Sequence, residues 1–428
     1  MMPSLRSRIA ARFLLAAYAL AVLSIGITKD WRLLHEDNGA FFSSIALSHL
    51  RLGLAETRGH DFFYEPRTGT KEAYGHHPPG LALVLAGALK VTGVEETWVV
   101  RSVPILFHTA SVFLLVALSS LFLPEGLSLL GGFLLATLPM GAYFGRMPNY
   151  EPLGLCLVLV QLLAWAKLRL GAGRRALLLL GAGVMLAGLL DYGPFFFGAA
   201  IGLFELIRWV KERRDGGRVL ALAACGIGIL AFDVAHLWYA NHGDLGHLKE
   251  VLARNASPPP DFTFGDLVSG LLDFFRRYFT HTGLIASLTA LAALLASRFG
   301  WGSWSARYLE ADGESDPGSN RSRVFRATLA LTGGTALAYV AAAPRWSKVH
   351  PYWQFYFLPF VVLSILLLVR HLRRMGSLAA RVTLVVLALE VLATSTYMLH
   401  LRHTREGVFA IETTRMIRER YLAVPPPR

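Results

Sequence analysis

The chain has 428 residues, of which 54% are hydrophobic and only 17% charged, and it carries a formal net charge of +13. Its mean hydropathy is +0.46. A soluble domain cannot hide so much apolar surface beneath a polar exterior, so the composition excludes a soluble globular protein. The basic residues come in clusters between apolar runs, which is a topology signal and gives no support to nucleic-acid binding.

Apolar runs of about 17 to 25 residues have the length of a membrane-crossing helix. In chain order they fall at 10–28, 98–123, 127–145, 150–167, 176–191, 194–210, 218–240, 283–299, 324–343, 351–369 and 378–398. This predicts an all-α polytopic membrane protein with about eleven spans. The first run follows Arg6, Arg8 and Arg12 like a signal peptide, but no cleavage site of small residues follows, so it is expected to stay as an anchor.

Between the first two spans lies a polar loop, 29–97, that opens with His35-Glu36-Asp37 and closes with Tyr74-Gly75-His76-His77-Pro78-Pro79. Within it Phe41, Phe42, Ile45, Ala46, His49 and Leu50 recur at helical spacing, which predicts an amphipathic helix over 37–52 lying along the interface. Pro79–Val91 is apolar but too short to cross, and reads as a half-inserted helix. Further on come the turn Arg146-Met147-Pro148-Asn149-Tyr150-Glu151, the loop 241–282, a Ser/Gly/Asp-rich linker at 300–323, and the link Lys348-Val349-His350-Pro351-Tyr352. Asn255-Ala256-Ser257 fits a weak glycosylation pattern. Residues 1–398 read as one transmembrane unit and 399–428 as a short tail.

Orientation follows from the basic clusters. Arg6–Arg12, Lys167–Arg175, Arg208–Arg218, Arg298–Arg326 and Arg370–Arg381 hold 21 of the 42 lysines and arginines, with few acids among them. By the positive-inside rule that face is cytoplasmic, and the first loop faces outward. Cys156 and Cys225 fall in spans at different depths, so neither a disulfide nor thiol chemistry is expected. No phosphate-binding glycine loop follows a strand, so nucleotide-driven transport has no engine here.

The residues able to do chemistry gather on the outward loops. Glu36 and Asp37 sit at a helix start, where acids are favoured as caps, and a desolvated carboxylate there also suits a general base. Glu151 precedes Pro152 at the start of the fourth span, where it serves either as a helix-start acid or as a functional one. Tyr74, His76 and His77 stand before two prolines that fix an extended lead-in to the next helix. His35, Asp37, His77 and Glu151 are also candidate ligands for a divalent cation. Arg146, Lys348, His350 and Tyr352 lie at the depth of a lipid phosphate, though an interfacial belt of basic and aromatic residues reads the same way. Asp191, Asp233 and His236 lie at span ends, where they read either as snorkelling end residues or as the lining of a polar cavity that reaches the same face. His108 and Glu390 stand isolated in their spans and receive no role.

In this order the motifs resemble the GT-C glycosyltransferases, most closely the protein O-mannosyltransferase and aminoarabinose-transferase group. The residues that carry the likeness are the first-loop acid Asp37, the lead-in Tyr74 to Pro79, Thr97-Trp98-Val99-Val100-Arg101-Ser102 opening a span, and Glu151 before Pro152. His77-Pro78 corresponds to a Lys-Pro lead-in of the group, and Lys348 with Tyr352 to a late Lys-x-x-x-Tyr link. The group often carries Asp-Glu where this chain has Glu36-Asp37, so either of the two acids remains a candidate base. The resemblance implies a polyprenyl-phosphate sugar donor and a protein, lipid or glycan acceptor. It further implies inversion at the sugar, a multi-pass protein of a bacterial inner membrane, and an outward-facing site. The competing expectation is a transporter or flippase of a lipid-linked sugar or polar lipid using the same cavity.

Overall fold

The computed structural model describes residues 5–33, 35–60, 62–64, 71–73, 77–246, 249, 253, 263–301, 303–313, 316, 318–342, 344, 347, 350–407, 410–412 and 415. Apart from one short hairpin and an isolated bridge, the regular structure of these residues is helical. Helix α1 (Leu5–Leu23) leads into the first loop, which holds α2 (Asp37–Thr57), strands β1 (Phe62–Tyr64) and β2 (Lys71–Ala73), and α3 (Gly80–Thr92). The strands pair antiparallel, Phe63 opposite Glu72. Then come α4 (Thr97–Ser119), α5 (Glu125–Thr137), a π-turn (Met140–Phe144), α6 (Tyr150–Arg169), α7 (Gly173–Leu190), α8 (Tyr192–Glu212) and α9 (Gly216–Ala240). After the next loop follow α10 (Phe264–Tyr278), α11 (Thr280–Arg298), α12 (Ser303–Tyr308), α13 (Asn320–Ala342), a 3-10 turn (Pro351–Phe357), α14 (Leu358–Met375) and α15 (Leu378–Thr404).

Each of the eleven expected spans coincides with one of these helices. Among the described residues nine helices are long and apolar enough to cross a membrane, while α1 and α5 have shorter apolar stretches. The protein is thus an integral, multi-pass membrane protein. Helices pack closely where small residues allow it. A side chain at Gly132 would strike Val116 of α4 and Leu15 of α1, so this glycine lets the three helices meet.

Two features fix the face on which the loops meet. At one face the Arg12 guanidinium lies 3.3 Å from Glu125, and Arg321 donates to the carbonyls of Leu121 and Asp312. At the other face the end of α15 returns to the first loop: Leu33 bridges Glu406, and the Gly407 amide donates to the Arg32 carbonyl at 2.8 Å. The loop face therefore contains both α2 and the C-terminal end of α15.

The segment 300–323, expected as a flexible linker, is built in part into the fold. Tyr308, Leu309 and Ala311 are buried, and Arg370 of α14 donates to the carbonyls of Tyr308 and Glu310. A guanidinium satisfying two backbone carbonyls is what holds this polar stretch against the bundle. The glycosylation pattern at Asn255 lies outside the described residues.

Candidate active site

Three polar clusters are built at the loop face, and the first is organised by Glu36. His35, at φ +66°, turns the chain through the left-handed region, which non-glycine residues seldom occupy. Glu36 is thereby turned inward and is 1% exposed. Its Oε1 accepts from Arg101 of α4 at 3.0 Å and from Arg146 at 2.9 Å. Its Oε2 accepts the backbone amides of Arg32 and Leu33 at 3.1 and 3.0 Å. The two arginines continue outward: Arg101 reaches the carbonyls of Ile27, Lys29 and Asp30, and Arg146 that of Ile25. The Arg101 guanidinium also lies 4.0 Å above the Trp31 ring, and that ring packs on Gly39, where any side chain would collide with it. Glu36 is therefore a saturated counter-ion that shapes the loop.

Asp37, the next residue, opens α2 and is half-buried. Burial raises its carboxyl above the ordinary aspartate value, with its own backbone amide opposing the shift. Among the described residues its side chain pairs with no other side chain. Of the two neighbouring acids, one is committed to structure and the other remains available for chemistry.

The second cluster contains His35, His350, Tyr352, Phe144, Tyr278 and Arg402. The His35 ring stands 6.4 Å from Tyr352 and 6.1 Å from Phe144, and His350 stacks on Tyr352 at 5.0 Å. Burial, then the charges of Arg402 and His350, lower His35 to about 4. Burial alone lowers His350 to about 4. Both rings are neutral near neutral pH. Arg402, from the last turn of α15, donates to the Tyr278 hydroxyl.

The third cluster lies where α6, α7 and α8 meet. His77 Nδ1 is 2.9 Å from Asp191 Oδ1, and its ring stacks on Tyr150 at 4.8 Å. Asp191 Oδ2 accepts the Gly193 amide at 3.2 Å, so one carboxylate both caps α8 and orients an imidazole. Glu151 is 4% exposed, lies within electrostatic reach of Asp191, and has one carboxylate oxygen without a hydrogen-bond partner. The Tyr356 hydroxyl is likewise buried without a partner. Its ring fits only because Gly154 and Gly193 face it.

Tyr74, His76 and Lys348 lie outside the described residues. His35 and Asp37 are neighbours in the loop, whereas His77 and Glu151 belong to the third cluster. Among the described residues no group of three or more His, Cys, Asp or Glu is placed to hold a metal ion. The proposed four-ligand set is thus split between two places. Glu390, thought isolated, takes the amides of His281 and Thr282 at 3.0 Å each, along with the Thr282 and Thr394 hydroxyls. It caps the start of α11 from another helix. His236 Nε2 donates to the Arg58 carbonyl at 3.0 Å, tying α9 to the end of α2.

A large apolar cavity of about 1010 Å³ opens between α10, α11, α13 and the start of α14. It is lined by Phe275 and Phe357, whose rings stand 5.2 Å apart, at its loop end, by leucines along its length, and by Arg298 and Arg326 at the opposite end.

A family model described as dolichyl-phosphate-mannose-protein mannosyltransferase matches residues 76–238. None of the curated proteins matches the sequence. Among solved structures, the archaeal oligosaccharyltransferase AglB from Archaeoglobus fulgidus, in complex with an inhibitory peptide and a dolichol-phosphate, is similar at a TM-score of 0.58. Identity is 12%, covering 94% of this chain and 56% of that one. ArnT from Cupriavidus metallidurans in the apo state gives a TM-score of 0.50 and 13% identity, over 95% of this chain and 76% of that one. The chain has the GT-C fold. It spans little more than half the length of the oligosaccharyltransferase structures it resembles. His77, Arg101, Arg146, Glu151 and Asp191 fall inside the segment matched by the family model, whereas Glu36, Asp37 and Arg402 lie outside it. The GT-C fold thus brings matched and unmatched segments to one face.

Two features escaped the sequence reading. Arg402 sits in what looked like a nondescript basic tail, and Asp191 read equally as a snorkelling span end or as part of a polar cavity, with no partner assigned. The only signal for Asp191 was Asp-Tyr-Gly-Pro at a break between two apolar runs. For Arg402 there was none, because its neighbours Tyr278 and His35 are remote in sequence.

Proposed function

We propose that this protein is an inverting glycosyltransferase that moves a sugar from a polyprenyl-phosphate donor to an acceptor hydroxyl at the outer membrane face. The observation that carries the reading is the division of labour between Glu36 and Asp37 within a GT-C fold. Glu36 is fully engaged by two arginines and two amides, which leaves Asp37 as the acid able to accept a proton. Asp37 takes the proton of the acceptor hydroxyl, and that oxygen attacks the anomeric carbon. The bond from that carbon to the phosphate oxygen breaks, its electron pair leaves with the polyprenyl phosphate, and the configuration inverts. The raised proton affinity of Asp37 suits a base working near neutral pH. The apolar cavity offers a path for the isoprenoid chain along the spans. His77, oriented by Asp191, and Arg146, His350 and Tyr352, together with Tyr74, His76 and Lys348 from the sequence, are the groups we assign to donor and acceptor contacts.

The family match and the AglB structure, which contains a dolichol-phosphate, are consistent with a lipid-linked donor. On the transport reading, charged groups within the spans would line a path. Glu390 is instead committed to capping α11. The decisive experiment measures transfer of radiolabelled sugar from polyprenyl phosphate in membranes with and without the protein, and with Asp37→Asn. Normal turnover by that variant would discard Asp37 as the base.

A further inference from the structure

The second cluster holds a buried cation that has no counter-ion among the described residues. Arg402 is 7% exposed, yet no carboxylate pairs with it among the described residues, and its Nε has no hydrogen-bond partner. Its one hydrogen bond goes to the Tyr278 hydroxyl, and its guanidinium lies 5.0 Å from the Tyr278 ring and 5.9 Å from the Tyr143 ring. A buried guanidinium so poorly compensated costs stability unless something anionic completes it. The negative end of α15 offsets part of that charge, but helix-end effects are worth only about 0.3–1 kcal/mol.

The surroundings also favour an oxyanion. Both ring nitrogens of the adjacent His403 are buried without partners, and that ring sits 5.8 Å from Tyr143. Tyr278 ends α10 one turn after Phe275, which lines the loop end of the apolar cavity. An isoprenoid chain lying in that cavity would place its headgroup beside Tyr278. Glu36, a buried acid of the loop, is already neutralised by Arg101 and Arg146.

We propose that Arg402, with His403 and Tyr278, forms an oxyanion subsite for the phosphate of the lipid substrate. The arginine supplies planar N–H donors, as a phosphate requires. Tyr278 couples the subsite to the amphipathic helix α10 that borders the cavity. The identity of the ligand rests on the transferase reading above, but the binding test below does not.

Purified protein in detergent is heated with farnesyl phosphate, inorganic phosphate or uncharged farnesol, and its melting temperature is followed for wild type, Arg402→Gln and Arg402→Lys. Farnesyl phosphate is expected to raise the melting temperature of wild type, and farnesol is not. Arg402→Gln, which removes an uncompensated charge, is expected to melt no lower than wild type without ligand and to need at least about tenfold more farnesyl phosphate for the same shift. Arg402→Lys retains part of the response. Equal stabilisation by inorganic phosphate, lost in Arg402→Gln, supports the subsite and assigns it to a free phosphate instead of a lipid headgroup. The proposal is overturned if farnesyl phosphate leaves wild type unmoved, or if Arg402→Gln responds as wild type does. It is also overturned if Arg402→Gln melts lower and Arg402→Lys restores the melting temperature without the response, because the arginine is then structural. Each outcome is read without any sugar transfer, so loss of the subsite and loss of the transferase reading are separable.

Discussion

Arg146 donates to Glu36 at 2.9 Å across 110 residues of sequence, and both side chains are 1% exposed. That one bond joins the first loop to the turn before α6, and Arg101 joins the same carboxylate to α4. Removing the charge of Glu36 leaves two buried guanidinium groups facing each other. Breaking such a pair from one side costs about 3–5 kcal/mol. Glu36→Gln should therefore lower the unfolding midpoint sharply, whereas Asp37→Asn should leave it near wild type while abolishing transfer. Thermal unfolding and a transfer assay on the two variants separate structure from chemistry. Equal stability of both would remove Glu36 from its structural role.

The position of Asp37 also sets a pH dependence. Its folded pKa lies above the ordinary 3.8 because burial penalises the charged form. Folded Asp37 thus keeps its proton to higher pH than the unfolded chain does. Its contribution to stability is present below 3.8 and is lost as pH rises through the folded value. Activity runs the other way, since the base must be deprotonated. The acid limb of the wild-type rate profile should lie above the usual aspartate range, as a pH–rate series will test.

How much of this was legible in advance follows from the range of each interaction. The spans came from apolar run length, which is a local property, and all eleven coincide with helices. The helical state of α2 and the short α3 were equally local, although α2 is buried or half-buried on all its faces from Gly39 to His49 instead of lying amphipathic along the interface. The roles of Glu36 and Glu390 were not legible. Glu36 is fixed by arginines 65 and 110 residues away, and Glu390 by a helix start 108 and 109 residues away. Hydropathy ranks an isolated acid in a span as a functional oddity, yet the packing made this one a cap.

Glu151 presents the opposite case from Glu36. Its buried carboxyl has an unpartnered oxygen and the like charge of Asp191 nearby. A group retained at such cost is a candidate for a role beyond folding. Glu151→Gln should keep or raise stability, by up to about 1 kcal/mol, while slowing transfer. Loss of stability with unchanged transfer per folded molecule would make Glu151 a packing residue.

Glu390 separates enzyme from transporter. As a cap it holds two amides and two hydroxyls, so Glu390→Ala should cost about 1–2 kcal/mol. Transfer by the protein that remains folded should be unchanged. Flux of a lipid-linked sugar across proteoliposomes, abolished by this substitution alone, would instead favour transport.

The apolar cavity gives a prediction that depends on chain length. Gly334 of α13 lines it, and a Cβ added there meets nothing within 4 Å. Gly334→Phe should therefore fit without backbone strain and fill part of the cavity, while the phosphate and sugar contacts at the loop face stay intact. Donors with long isoprenoid chains should lose affinity, because their tails compete with the new ring for the same apolar volume. Donors with chains too short to reach Gly334 should be used as before. The measurement is KM for a long-chain and a short-chain donor with wild type and variant. An equal change for both donors would place the isoprenoid chain elsewhere.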